Sequence, residues 1–285
     1  MKLPGNKRVA FQGERGAFSE EAAIRLLGAE VSLVPLPTFE AAFNAIAQHK
    51  ADYVLAPIEN SLAGPVHRSL DLLVESALTI VGEVIIRVQH NLIGPPGSTF
   101  DDITVVESHP VALAQCEQFF SSRPALKRIA TDDTAGSVRE IVHAGDRKRA
   151  AIASKRAAQI HGGQILRENL EDDLENYTRF VLLAPFTEAM PERADKISLV
   201  FRIAHVPGAL FYALEPFARR KINLMKVESR PVRGLPWQYR FYLDLQASAS
   251  DPEVQAALGE LKKLTVDVRI LGSYVSAKSE NSSAA

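Results

Sequence analysis

"RVAFQGERGAFSEEAAIRLLG", residues 8–28, is the stretch that sets the fold class. Its first six residues, RVAFQG, are a short β-rich run that reads as a strand, whereas SEEAAIRLLG repeats its apolar residues at helical spacing. Ser19 is expected to open that helix, because a serine oxygen can accept from an unpartnered backbone N–H. Gly28 is expected to close it, since glycine tolerates the left-handed exit. The connecting FQGERGAF has two glycines after a strand but lacks the third glycine and the Lys-Ser of phosphate loops, so it does not meet the nucleotide-binding pattern.

The same succession repeats outward. VSLVPL (31–36) reads as a strand, TFEAAFNAIAQHK (38–50) as a helix capped by Thr38, DYVLAPIE (52–59) as a strand, PVHRSLDLLVES (65–76) as a helix and LTIVGEVIIRV (78–88) as a long strand. ITVVES, PVALAQCEQFFSS, KRIATD, TAGSVREIVHAG, RAAIAS and a further helix continue the plan to about residue 161. Alternation of this kind predicts a largely parallel sheet covered on both faces, arranged in two α/β lobes. The polar residues gather just after strands, in IENS, ESHP, TDDTAG and NYTRF, where ligands bind in open α/β sheets. A cleft between the lobes is therefore the expected site.

PFTEAMPERAD (185–195), with two prolines and mixed charge, reads as a linker. Beyond it KISLVFRIA, VPGALFYALEPFARR, INLMKVESRPV, QYRFYLDLQAS, DPEVQAALGELKKL and VDVRILGSY spell strand-helix-strand-strand-helix-strand, the ferredoxin-like order. The tail SAKSENSSAA is small, polar and aperiodic and reads as disordered.

The totals narrow the function. With 285 residues, 46% hydrophobic and 24% charged, the chain has the balance of a folded protein with a sizeable core. A formal net charge of -1 gives no general attraction for nucleic acid or acidic membranes, so neither is expected as a partner. The single cysteine, Cys116, cannot form an internal disulfide and reads as a small buried hydrophobe. That fits a reducing compartment and makes cytoplasm the expected location. Met1 to Lys7 has no apolar segment of signal-peptide length, and no uncharged run is long enough to cross a bilayer. The seven histidines form no i, i+4 ligand pair, so no metal is expected. Hydroxyls, amides and an arginine at strand ends remain, a set suited to a carboxylated small molecule but not diagnostic of a reaction.

Taken together, VAFQGERGAFSEEAA, APIENSLAGPVHRSLDLL, ESHPVALAQCEQFF, TDDTAG, AAIASKRAAQIHGGQILRENLEDDLENYTRF, GAL and ESRP resemble prephenate dehydratases that carry an ACT regulatory domain, in the family's order from about residue 8 to about residue 274. The resemblance implies a two-lobed, periplasmic-binding-protein-like catalytic domain over residues 8–185 and a ferredoxin-like ACT domain over 195–275. It implies a decarboxylating dehydration: prephenate loses its ring carboxylate as CO2 and its ring hydroxyl as water, giving phenylpyruvate. Aromatisation drives this step, so no cofactor is expected. Feedback regulation by L-phenylalanine and a homodimer or homotetramer are also implied.

Carried over residue by residue, the resemblance makes Thr178 the donor to the leaving hydroxyl, Arg179 the carboxylate anchor, and Glu59, Asn60 and Gln115 further catalytic positions. Ser61, Ser108, Asp132, Asn176 and Phe180 become substrate-binding positions. Pro207, Gly208, Ala209 and Leu210 with Glu228, Ser229 and Arg230 become the phenylalanine site. Plainer readings stand beside these: an ion pair of Arg179 with Asp172 or Asp173, capping by Asn60 or Ser61, an exposed mid-helix Gln115, a core Phe180, and His109 as a loop-fixing hydrogen-bonder. Val111, His205 and Phe211 depart from the common bacterial pattern, while TDDTAG and VHRSLDLLV look like plant arogenate dehydratases. Arogenate is thus the alternative substrate, with Asp133 a possible partner for its ammonium, and a non-catalytic amino-acid sensor is the rival from another class.

Overall fold

The computed structural model describes residues 7–186 and 193–277. Most of the linker read at 185–195 and of the tail read at 276–285 lies outside those residues. In chain order the elements are β1 (Arg8–Gln12), α1 (Phe18–Leu27), β2 (Ser32–Leu36), α2 (Phe39–Asn44), β3 (Tyr53–Asn60), β4 (Gly64–Pro65), α3 (His67–Glu75), β5 (Leu78–Arg87), β6 (Asn91–Gly94), β7 (Val105–Ser108), α4 (Pro110–Ala114), α5 (Glu117–Ser121), β8 (Lys127–Ala130), α6 (Thr134–Ala144), β9 (Arg149–Ala153), α7 (Lys155–His161), β10 (Gln164–Arg167), β11 (Tyr177–Pro185), β12 (Lys196–Arg202), α8 (Ala209–Arg219), β13 (Asn223–Pro231), β14 (Tyr239–Gln246), α9 (Pro252–Leu264) and β15 (Asp267–Tyr274). The chain divides into two compact units, Met1–Leu72 with Val84–Phe180, and Leu73–Glu83 with Val181–Ala285.

The first unit has two lobes. In one, β1 is flanked by β2 and β3, both parallel to it, and β11 lies beyond β3. In the other the strand order is β10-β6-β9-β7-β8, and here the expected parallel sheet is only half right. β7 runs parallel to β8 and β9, while β6 and β10 are antiparallel to their neighbours. The reason is connectivity: β6 follows β5 without a helix between, so no crossover sets its direction. Both faces of this sheet are covered, one by Val138, Ile141, Ala157 and Ala158 of α6 and α7, the other by Leu113, Phe119 and Phe120 of α4 and α5.

Two helix readings change. PVALAQCEQFFSS is not one helix but α4 and α5, because the Asp172 carboxylate accepts from the N–H groups of Glu117 (2.7 Å) and Gln118 (2.9 Å) and starts a new helix there. Ser19 does not cap α1, which begins one residue earlier. Glu20, fully buried, takes the Gly16 N–H at 3.1 Å and pairs with Arg15 (2.7 Å) and Arg156 (2.6 Å). Burial alone would raise its pKa; these hydrogen bonds outweigh it and leave the carboxyl below its usual range. GERGAF is thereby the joint between the lobes. Ser154 of the second lobe donates to Gly16 O (2.7 Å), and a Cβ on Gly16, whose φ is +89°, would lie 2.6 Å from Ala157 Cα.

The second unit follows the ferredoxin-like order read from the sequence. Its strands stand β13-β14-β12-β15, each antiparallel to its neighbour, over a core that includes Leu199, Phe201, Phe217, Leu245 and Leu261. The start of β5 belongs here because Ile80 pairs with Gly272, Thr79 donates to Leu271 O (2.8 Å), and buried Glu83 pairs with buried Lys196 at 3.1 Å. Among the described residues no helix is long and apolar enough to cross a membrane.

Candidate active site

Strand ends and helix starts of the first unit enclose a cavity of about 410 Å³. Gln12 and Gly13 leave β1, Phe18 and Ser19 open α1, Asn60 ends β3, His109 and Val111 begin α4, and Asp132 to Thr134 lead into α6. Two aspartates and two histidines line it, and among the described residues no lysine or arginine does. A carboxylated ligand here meets neutral donors and helix N-termini rather than a fixed cation.

Four amide and hydroxyl side chains run through one wall. Asn60 Oδ1 accepts from Leu62 N (3.0 Å) and Ala63 N (2.8 Å), while its Nδ2 lies against Asn176 Oδ1 (2.8 Å), Tyr177 O (3.1 Å) and Thr178 Oγ1 (2.9 Å). Asn176, fully buried, donates to Gln115 Oε1 at 3.0 Å, and His90 Nε2 stands 2.9 Å from the same oxygen. Because the Thr178 oxygen accepts from Asn60, its own proton is left to point at a ligand. Gln115 closes α4 instead of sitting mid-helix, which turns its side chain to this wall. Ser61 works just outside the cavity, where its hydroxyl donates to Glu175 O (2.7 Å) and accepts from Tyr177 N (2.9 Å), fixing the approach to β11.

Several expected site residues stand elsewhere. The pleat of β3 and β11 sends Glu59 and Arg179 to the face opposite Asn60 and Thr178, where Arg179 Nη1 lies 3.5 Å from Glu59 Oε2. Neither lines the cavity. Asp172 and Asp173, considered as partners of Arg179, instead hold backbone N–H groups. Ser108 is buried and donates to Ile152 O (2.6 Å), and Phe180 is buried in the core. Asp132 is exposed at the cavity wall, whereas Asp133 caps α6 by accepting from Gly136 N (2.8 Å) and Glu14 N (3.2 Å). His109 also caps, taking Val111 N at 3.2 Å, yet still lines the cavity. Cys116 is buried in the core, and burial pushes its thiol pKa up, which suits packing rather than reaction.

His90 was missed. It is buried, lines the cavity, and has its pKa lowered by that burial, against the opposing pull of the Gln115 bond and the charge of Glu171. The polar triplet Gln89-His90-Asn91 inside an otherwise apolar run was the available signal.

In the second unit a smaller cavity, about 250 Å³, is lined by His205, Gly208, Ala209, Leu210 and Phe211 with Trp237, Gln238, Tyr239 and Phe241. Gly208, at φ +79°, caps α8, and a Cβ there would meet Tyr212 Cε2 at 2.9 Å. Pro207 precedes it by one residue and is not among the lining residues. Glu228, Ser229 and Arg230 lie on β13, paired with Tyr242, Phe241 and Arg240, and do not line this cavity either.

A family model for prephenate dehydratase matches residues 9–187. The chain belongs to that family. Among curated relatives, the protein named arogenate dehydratase/prephenate dehydratase 2, chloroplastic, of Arabidopsis thaliana is 43% identical over 278 residues, covering 94% of this chain and 72% of its own. A solved prephenate dehydratase from Arthrobacter aurescens, in complex with L-Phe, superposes with a TM-score of 0.87 at 31% identity, covering 94% of this chain and 90% of that one. A structure described as GqqA, a novel type of quorum quenching acylase, gives a TM-score of 0.87 at 34% identity over 95% and 98% of the two chains. The family's matched segment spans the whole cavity wall, from Gln12 to Thr178.

Proposed function

We propose that this chain catalyses the decarboxylating dehydration of prephenate to phenylpyruvate, with arogenate, converted directly to phenylalanine, as the alternative substrate. The supporting observation is the Thr178 hydroxyl at the cavity wall, its oxygen held by Asn60 and its proton free to donate. Loss of CO2 leaves its electron pair in the ring, the ring expels hydroxide, and a proton delivered there makes water. No carbon-bound proton need be removed. What the protein supplies is stabilisation of the departing hydroxyl, by Thr178 and the Gln115 amide, and a grip on the carboxylates loose enough for one to leave. A cavity wall without lysine or arginine among the described residues fits that requirement. The description of one neighbour names it an acylase; acyl transfer needs an activated nucleophile, and the partner of the Thr178 oxygen is an amide, not a base.

In this reading residues 8–185 are the catalytic domain and 195–275 an ACT domain that binds L-phenylalanine through Pro207–Leu210 with Glu228, Ser229 and Arg230. Support for an L-phenylalanine effector comes from the L-Phe complex of the Arthrobacter aurescens relative, and support for the turn from Gly208, Ala209 and Leu210 lining the smaller cavity. Assembly as a homodimer or homotetramer and a cytoplasmic location complete it.

The test is to give the purified full chain prephenate and arogenate in parallel, following phenylpyruvate by absorbance and phenylalanine by chromatography, with and without added L-phenylalanine. Turnover of prephenate that slows with L-phenylalanine is expected. Dominant turnover of arogenate selects the alternative. Binding of L-phenylalanine with no turnover of either would replace the reading with a sensor.

A further inference from the structure

The direction of every hydrogen bond in the cavity wall follows from the backbone. N–H groups only donate, so the Asn60 atom that receives Leu62 N (3.0 Å) and Ala63 N (2.8 Å) is its oxygen. The amide nitrogen of Asn60 then faces Asn176, which must answer with oxygen at 2.8 Å. Asn176 thus turns its NH2 to Gln115 (3.0 Å), and Gln115 must offer oxygen in turn. That same oxygen lies 2.9 Å from His90 Nε2, so Nε2 carries a proton. In the neutral ring Nδ1 is then bare, and it is buried without a hydrogen-bond partner among the described residues.

The surroundings keep the ring neutral. Phe18 meets it edge-on at 5.7 Å between ring centres. The charged group facing it is Glu171, which accepts the His90 backbone N–H at 2.9 Å and is itself paired with Arg87 at 3.4 Å. Burial outweighs the pull of Glu171 and lowers the pKa.

We propose that His90, as the neutral Nε2–H tautomer, is a positioning residue that locks the Gln115 amide with its oxygen inward and its NH2 toward the substrate. The inference rests on the reading of this cavity as the dehydratase site. Two donors, from Asn176 and His90, converge on the Gln115 oxygen, and its NH2 has no protein partner among the described residues. With His90 removed, one donor remains, and a rotated Gln115 would turn an oxygen toward an anionic substrate.

Three measurements test it. Nitrogen-15 NMR of the wild-type imidazole is expected to show a neutral ring protonated on Nε2 at pH 7; a ring protonated on Nδ1, or on both nitrogens, overturns the proposal without touching the assignment of the active site. His90→Phe, which keeps the ring contact with Phe18, is expected to lower kcat/KM about 10- to 100-fold, and His90→Gln to recover most of that loss. In a Gln115→Ala background His90→Phe is expected to cost nothing further, since it acts through Gln115. An additive loss there overturns the positioning role. Full activity of Gln115→Ala itself overturns the reading of the cavity, and the positioning role with it, even with the tautomer as stated.

Discussion

β3 and β11 each carry two polar residues side by side, and their two faces do different work. On one face Asn60 and Thr178 meet as neutral donor and acceptor at the cavity wall. On the other, one residue away in each strand, Glu59 and Arg179 meet as a charged pair at 3.5 Å outside it. The contrast is chemical as well as geometric. A guanidinium gripping a ring carboxylate would stabilise the ground state that has to lose CO2, whereas a hydroxyl aimed at departing hydroxide acts where charge develops. The pleat lets adjacent residues separate these two jobs.

Thr178→Ala tests the cavity face and carries the largest expected effect. Loss of the hydroxyl proton that Thr178 offers to the cavity should lower kcat by about 10²- to 10⁴-fold, while Thr178→Ser stays within about tenfold of wild type, and both keep the wild-type circular dichroism spectrum. Equal activity of Thr178→Ala and wild type would erase the contrast between the faces.

The charged face should respond more mildly. Arg179→Gln is expected to keep kcat within about tenfold and to lower stability by about 1 kcal/mol in urea unfolding, because Glu59 is partly exposed and water takes over much of its solvation. A loss of kcat as deep as that of Thr178→Ala would mean that Arg179 reaches the substrate after all.

Asp132 and Asp133 repeat the contrast between neighbours. Asp133 gives its oxygens to Gly136 N and Glu14 N, and Asp132 stands exposed at the cavity wall. Asp133→Ser, which retains a capping oxygen, should change stability by a few tenths of a kcal/mol and leave the ratio of arogenate to prephenate turnover where it was. Asp132→Asn should move that ratio toward prephenate, since it removes the carboxylate available to an ammonium. A shift produced by Asp133→Ser instead would return the specificity role to the cap.

What could be read from the sequence follows the range of the interactions. The βαββαβ order was legible because each element carries its own period and its own boundary residues, such as Pro252 and Gly208 at helix starts. The Thr178 position was legible through the family's motif, yet the face on which Arg179 falls depends on the strand register, which the string TRF does not display. The break between α4 and α5 was not legible at all, because PVALAQCEQFFSS keeps an unbroken helical period and the group that interrupts it, Asp172, lies 55 residues away from Glu117. His90 escaped for the same reason: its partners Gln115 and Glu171 are 25 and 81 residues distant.

The smallest expected effect concerns protons, and it separates the two faces once more. The chain of Asn60, Asn176, Gln115 and Thr178 consists of amides and a hydroxyl, which do not titrate near neutrality, and His90 is the titratable side chain bonded to it. Its pKa is lowered in the folded chain by burial. Below about pH 6.5, the ordinary value for histidine, the unfolded chain binds a proton at His90 that the folded chain refuses, so the contribution of His90 to stability falls as pH falls through that window. His90→Gln removes the titrating group, and the slope of unfolding free energy against pH between about 5 and 7 should flatten. Thr178→Ala removes no titrating group and should keep the wild-type slope. Identical slopes for wild type and His90→Gln would mean that the ring takes up its proton in the folded chain as readily as in the unfolded one, and that the wall facing the substrate is not the neutral surface on which the contrast with Glu59 and Arg179 depends.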